Sequence, residues 1–254
     1  MEAYESNVMG EVAAWMKRME SKPSLINRAS KKLQVKINSW IPEKVHAALT
    51  TAIKQMTRTV CFGAGFTTSK PTQGMSLQEI EVAADKKILN YSRTASAEGA
   101  ITGAGGILLG LADFPLWLTV KMKMLFDLAA LYGYDVKNYK ERIYLLHIFE
   151  LTFSSQANRR QTFQILKNWE KYAETLPKDM NQFDWRNFQQ EYRDYIDIAK
   201  LLQLVPGIGA PIGAIVNFRL TRKLGRMAKN AFRMRRINSG PSLLSPRTTE
   251  LVKS

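Results

Sequence analysis

The sequence predicts an all-α protein: one helical bundle in which two glycine-rich apolar helices pack closely, followed by a disordered tail. Three observations predict it. Apolar residues recur every three or four positions over most of the chain, which is the period of a helix face. No alternating apolar and polar pattern is long enough to make a strand. Two charge-free apolar stretches, GAITGAGGILLGLA at 99–112 and LLQLVPGIGAPIGAIVNF at 201–218, carry glycines in helical register. Gly99, Gly103, Gly106 and Gly110 recur at intervals of 4, 3 and 4, and Gly209 and Gly213 stand four apart. A glycine inside a helix costs about 1 kcal/mol relative to alanine. A ladder of them is explained by close backbone approach between helices.

The elements follow in order. Val8, Val12, Trp15 and Met19 make an amphipathic first helix, closed near Lys22-Pro23. Ser24 caps a second, with Leu25, Ala29, Leu33 and Ile37 on one face. Pro42 suits the first turn of a third, which turns Val45, Leu49, Ile53, Met56 and Val60 inward. A polar loop, TTSKPTQG at 67–74, leads to Ser76-Leu77-Gln78-Glu79, a capping box for a helix to about Tyr91 with Ile80, Ala83, Ala84 and Ile88 on its apolar face. The first glycine stretch comes next. Asp113 then caps a helix beginning at Pro115 and stopped by Gly133, and Asp135 opens a turn. Helices are expected over 139–153 and 156–174, with LPKDMNQFDW at 176–185 as the clearest connection. A helix from about Arg186 to Leu202 runs into the second glycine stretch. Pro211 opens the last helix, to about Ile237. Residues 1–237 read as one domain. The Ser/Pro-rich tail 238–254 reads as disordered.

Charge narrows the partners. In 254 residues, 37 Lys and Arg stand against 22 Asp and Glu, a net charge of +15. Such a balance favours an anionic partner, nucleic acid or an acidic membrane surface. Cys61 is the single cysteine, so no internal disulfide forms, which fits a reducing compartment. The start, MEAYESNVMGEV, has no basic segment before an apolar core and does not read as a secretory signal. The expected location is the cytoplasm, peripheral to the inner face of the cell membrane.

The last helix has an unusual pattern. Arg222, Arg226, Lys229, Arg233 and Arg236 fall at intervals of 4, 3, 4 and 3, a single basic stripe. Leu220, Leu224, Met227, Ala231 and Met234 follow the same intervals, offset by two residues and hence by roughly 200°. No acidic residue interrupts 219–237. A basic amphipathic helix of this kind can lie on an anionic membrane. An ordinary surface helix with a solvated charged face is the plain alternative. The glycine stretches do not read as simple bilayer spans, which need about 20 apolar residues. Asp113 and Pro115 interrupt the first, and Pro206 and Pro211 break the second. Shallow insertion near residues 107–111, a hairpin, or a buried helix pair fits them better.

Signals of chemistry are thin. His46 and His147 have no partners at metal-ligand spacing, so no metal site is expected. His147, among Leu145, Leu146, Ile148 and Phe149, reads as a core histidine within reach of Glu150. The glycine stretches lack both the P-loop ending and a strand–turn–helix setting, so no nucleotide cofactor is expected. No residue presents itself as catalytic. Asp113 is the most isolated carboxylate, either a helix cap or a polar group beside a membrane or ligand cavity. Trp117, Tyr132 and Tyr134 could serve as interfacial aromatics, although packing explains Trp117 better.

Taken in order, Ile41-Pro42-Glu43-Lys44-Val45-His46, the glycine ladder with Ala112-Asp113-Phe114-Pro115, Tyr132-Gly133-Tyr134-Asp135 and PGIGAPIGAIVN at 206–217 resemble the EcsC family of bacterial proteins. The resemblance covers roughly residues 10–237. It implies a bacterial, mostly helical protein working near a membrane transporter or secretion system. It brings no catalytic residues.

The leading expectation is a non-enzymatic protein peripheral to the membrane. Gly103, Gly106, Gly110, Asp113, Gly209 and Gly213 are its expected membrane or ligand contacts. Arg222, Arg226, Lys229, Arg233 and Arg236 are its expected contacts with an anionic surface. Two other readings stand beside it. One is a small-ligand or lipid-binding protein, or a hydrolase, with an apolar cavity between the glycine helices. The other is a nucleic-acid binder using the basic helix. That last reading lacks stacking aromatics, because Phe232 is the only aromatic residue in the basic segment.

Overall fold

The computed structural model describes residues 2–21, 43–62, 71–104, 114–154, 156–184, 186–188 and 210–238. These residues form an all-α bundle. Helix α1 (Glu2–Glu20) buries Val8, Val12 and Trp15, and the Trp15 ring stands edge-on to Phe163 at 5.4 Å. Helix α2 (Glu43–Phe62) buries Ile53, Met56 and Val60, three of the inward residues its periodicity predicts. The expected second helix and the side chains of His46 and Cys61 lie outside the described residues, as does the tail from 239 on.

Helix α3 (Leu77–Ala104) opens on the predicted capping box. The Glu79 backbone N–H donates to Ser76 Oγ at 3.3 Å, and the Ser76 N–H donates back to Glu79 Oε2 at 2.8 Å. Ser76 holds the Glu79 carboxyl below its ordinary value through these bonds. The helix does not stop near Tyr91. It runs on through the first part of the glycine ladder, because nothing in the sequence between 91 and 99 breaks it and a second helix lines its whole length.

Helix α4 (Phe114–Leu131) ends as predicted at Gly133, whose φ of +84° is easy only for glycine. The Tyr134 and Gly133 N–H groups close the end on Ala129 O (2.9 Å) and Ala130 O (3.1 Å), a Schellman motif. Helix α5 (Tyr139–Phe153), capped by Asn138, is buried around its whole circumference from Arg142 to Phe153 and forms the centre of the core. The single helix expected over 156–174 is two, α6 (Gln156–Lys167) and α7 (Trp169–Thr175). The bend at Asn168 turns Trp169 inward against Tyr144, with ring centroids 4.9 Å apart. A 3₁₀ turn (Met180–Gln182) lies in the predicted connection.

The last helix, α8 (Ala210–Asn238), lies antiparallel against α3, the most extensive helix contact among the described residues. Glu81 meets Arg233, Asp85 meets Lys229, Ile88 meets Gly225, and Gly99 meets Gly213. Small buried residues line the seam: Ala84, Ser92 and Ala95 from α3, Thr221 and Ala228 from α8. A Cβ on Gly99 would lie 2.6 Å from both Gly213 O and Asn217 Nδ2, so the backbones approach too closely for any other residue. The two glycine-bearing helices do pack closely, as their register predicts.

Candidate anion-binding face

Helix α8 delivers its basic residues to two environments. Arg219, Arg222 and Arg226 are exposed. None has an ion-pair partner among the described residues, and Arg222 lies 5.7 Å from the Phe218 ring centroid, one turn back. Across the seam, α3 presents Lys86, exposed and also unpaired, and Arg93 on the same face two turns on. Between them lies an open cleft of about 450 Å³ lined by Asp85, Lys86, Ile88, Leu89, Arg222 and Arg226. Asp85 accepts from Lys229 Nζ at 2.8 Å, so its charge is already answered. The exposed face continues towards the start of α8 as Ile215, four residues before Arg219 and 51% exposed. Leu116, on the first turn of α4, is 54% exposed at that end of the bundle, where Trp117 donates its indole N–H to Asn217.

The remainder of the predicted stripe turns inward. Lys229 is half-buried between Glu81 and Asp85. Arg233 is 6% exposed, with its guanidinium on Glu81 and on Glu11 Oε2 at 2.8 Å. Arg236 is buried too. So the five residues form one stripe along the helix but not one surface. The apolar stripe is inside as expected, with Leu224, Ala231 and Met234 fully buried. Near its C-terminal end α8 is therefore enclosed on both faces. Burial alone would raise the Glu81 carboxyl, but Arg233, Tyr4 and Lys229 together hold it below its ordinary value. Burial and the Glu81 carboxylate push the Tyr4 phenol up to about 12.

Two buried cations escaped the sequence reading. Arg235 grips Glu141 with both terminal nitrogens and Glu170 with Nε at 2.8 Å. Its guanidinium lies 4.2 Å from the Tyr134 ring and 4.8 Å from Tyr144, which accounts for those tyrosines as packing partners. Lys121, fully buried in α4, has no hydrogen-bond partner for Nζ among the described residues and lies 3.8 Å over the Trp117 ring. Burial drives its pKa well below the ordinary lysine value. Nothing in a one-dimensional pattern separates these residues from solvated Lys and Arg.

The other expected contacts divide as follows. Gly213 is buried against Gly99 and is a packing residue. Gly103 lies in the last turn of α3. Gly106, Gly110, Asp113 and Gly209 fall outside the described residues, as do 107–111. His147 is a core histidine, with Nδ1 3.0 Å from Glu150 Oε2 and its ring edge-on to Tyr172 and Phe188. Phe232 stacks on Tyr132 and Tyr134 inside the core, so it is not presented for base stacking. No helix among the described residues is long and apolar enough to cross a membrane.

The sequence that carries this face matches a known family. The model of the EcsC protein family matches residues 6–237. The chain belongs to that family. Protein EcsC of Bacillus subtilis (strain 168) is 45% identical over 229 residues, covering 90% of this chain and 94% of that protein. Uncharacterized protein YdbA of the same organism is 33% identical over 149 residues, 58% of this chain and 54% of that one. No solved structure matches the chain. The match begins in α1 and ends one residue before α8 does, so the whole α3–α8 seam lies within this EcsC-family region.

Proposed function

We propose that this EcsC-family chain is a non-enzymatic protein that docks peripherally on an anionic lipid surface, at the inner face of the cell membrane. The docking face is the exposed part of α8 with the adjoining edge of α3. The observation that carries this reading is that Arg219, Arg222 and Arg226, with Lys86 beside them, stand exposed and without acidic partners among the described residues. Arg233 and Arg235, which pair with acids, are turned into the bundle. Each Lys or Arg brought near an anionic membrane contributes on the order of 1 kcal/mol, diminished by salt. Ile215 and Leu116 add apolar contact at the end where the glycine-bearing helices meet.

Flotation with phosphatidylcholine vesicles, with and without phosphatidylglycerol, tests the reading. The wild type should float only with the anionic vesicles and be released by salt. Replacing Arg219, Arg222 and Arg226 together by Gln should weaken binding about a hundredfold. Unchanged flotation of that variant would sink the assignment of this face. Binding to duplex DNA in low salt without any vesicle binding would move the function to nucleic acid.

A further inference from the structure

We propose that the cleft between α3 and α8 is a specific site for a phosphate monoester, deepening and resting on the membrane reading where that monoester is a lipid headgroup. A flat basic patch would recognise charge density alone. This surface is concave, about 450 Å³, and three cations line it: Lys86 from one helix, Arg222 and Arg226 from the other. Arg222 and Arg226 stand four residues apart, so their side chains emerge one above the other on one helix face. Each presents a planar fork of donors suited to two oxygens of one phosphate. Lys86 supplies a point charge from the opposite wall.

The lining also selects among anions. A monoester phosphate carries about −1.5 to −2 charges at neutral pH and three terminal oxygens. A phosphodiester carries one charge and two such oxygens. Three cations without an acidic partner among the described residues match the monoester better. Asp85, the one carboxylate lining the cleft, is ion-paired with Lys229 at 2.8 Å and is outnumbered there by three cations. The Ile88 and Leu89 side chains supply an apolar floor for the carbon adjoining the phosphate. A carboxylate headgroup could occupy one guanidinium fork but would leave the others unanswered.

The test uses the full chain and two vesicle sets matched in surface charge, one made anionic with phosphatidic acid, the other with phosphatidylglycerol. The wild type should bind the phosphatidic acid set at least tenfold more tightly. The R222Q/R226Q variant should lose that preference. R93Q/R219Q removes the same charge outside the cleft, and should weaken binding to both sets equally and keep the preference. Equal binding of the wild type to both sets overturns this inference and leaves the membrane reading intact. Titration with soluble glycerol 3-phosphate separates the source. Saturable binding there, absent in R222Q/R226Q and without flotation on either set, supports the monoester site and overturns the membrane reading. Absence of binding to both vesicle sets and to glycerol 3-phosphate overturns both.

Discussion

Two regions of one helix carry the same basic periodicity and meet opposite fates. From Arg219 to Arg226, α8 keeps its three arginines in solvent, while the half-buried Lys223 donates to Thr152 O at 3.0 Å. From Lys229 to Arg236 it sinks them into the bundle, against acids from α1, α3, α5 and α7. The charge sequence of α3 decides the difference. Because α3 runs antiparallel, its acidic first turns, with Glu81 and Asp85, fall opposite Lys229 and Arg233. Its middle, with Lys86 and Arg93, falls beside Arg226, Arg222 and Arg219. Paired ends of two antiparallel dipoles add to this, with acids at the N-terminus of α3 and bases at the C-terminus of α8. A basic stripe is therefore no surface by itself. What lies across from it determines whether it stabilises the fold or is left for a partner.

The largest test of the contrast is Arg233→Ala. Glu81 is 2% exposed and would keep only Tyr4 and Lys229. Breaking a buried pair by removing one member costs about 3–5 kcal/mol. Urea unfolding should read a loss in that range, and a loss below about 1 kcal/mol would show that the pair behaves as a solvated one. The pH dependence has a definite sign. The folded Glu81 carboxyl is held below its ordinary value of 4.5, so its contribution is present above that pH and lost as pH falls through the lower, folded value. Arg233→Ala should flatten this acid limb of the stability profile. At the alkaline end the Tyr4 phenol, raised from 10.0 to about 12, contributes stability that is present below pH 10 and lost towards pH 12. Tyr4→Phe should remove that component.

Lys121→Met asks whether pairing or burial is the stabilising element. Lys121 is as buried as any side chain in the core but has no hydrogen-bond partner among the described residues. Its folded pKa lies well below 10.5, so the wild type loses stability as pH falls below the unfolded value. Methionine of similar length removes that deficit. The variant should be more stable by about 1–3 kcal/mol at neutral pH, and the gain should shrink as pH rises towards 10.5. Chemical denaturation at two pH values reads both. Destabilisation by Met would mean that the amine holds a structural contact.

Gly99→Ala probes the seam that sets the two regions in register. The added carbon would strike the Gly213 backbone, which cannot swing aside, and the helices would have to part. Overpacking of this kind costs about 1–3 kcal/mol, against a helix-propensity gain of about 1 kcal/mol. A fall in Tm is expected. At Gly225 the nearest atoms to an added carbon belong to the Ile88 side chain rather than to backbone, so Gly225→Ala should cost less. A neutral Gly99→Ala would place the helices farther apart than described.

The helices were legible because their signals are local. The Ser76–Glu79 box, the Gly133 stop and the helix over 139–153 each lie within a few residues of the bonds they make. The family was legible from the order of short motifs. What sequence could not show was long-range. Arg233 reaches Glu81 and Glu11, 152 and 222 positions away, and Arg235 reaches Glu141. No spacing rule encodes such partners. The helix break at Asn168 was hidden for the same reason, since the force behind it is Trp169 seeking Tyr144 across the core. For the candidate face, the stripe named Arg222 and Arg226, which are exposed, together with Arg233 and Arg236, which are buried, whereas Lys86 came to light only once α3 lay beside them.

The smallest expected effect on stability is the most telling for function. Arg222 and Arg226 are exposed and make no ion pair among the described residues, so R222Q/R226Q should change unfolding free energy by no more than about 0.5 kcal/mol. The same substitution removes two of the three cations lining the cleft. Two like charges four residues apart on a helix repel, so the variant is expected to lie on the stable side of zero. A rise in Tm with a loss of affinity for anionic vesicles would be the signature of a site kept against its own electrostatics for the sake of a ligand. Loss of stability in this variant would instead place Arg222 and Arg226 with Arg233, as internal supports, and the division of the helix into two regions would fall.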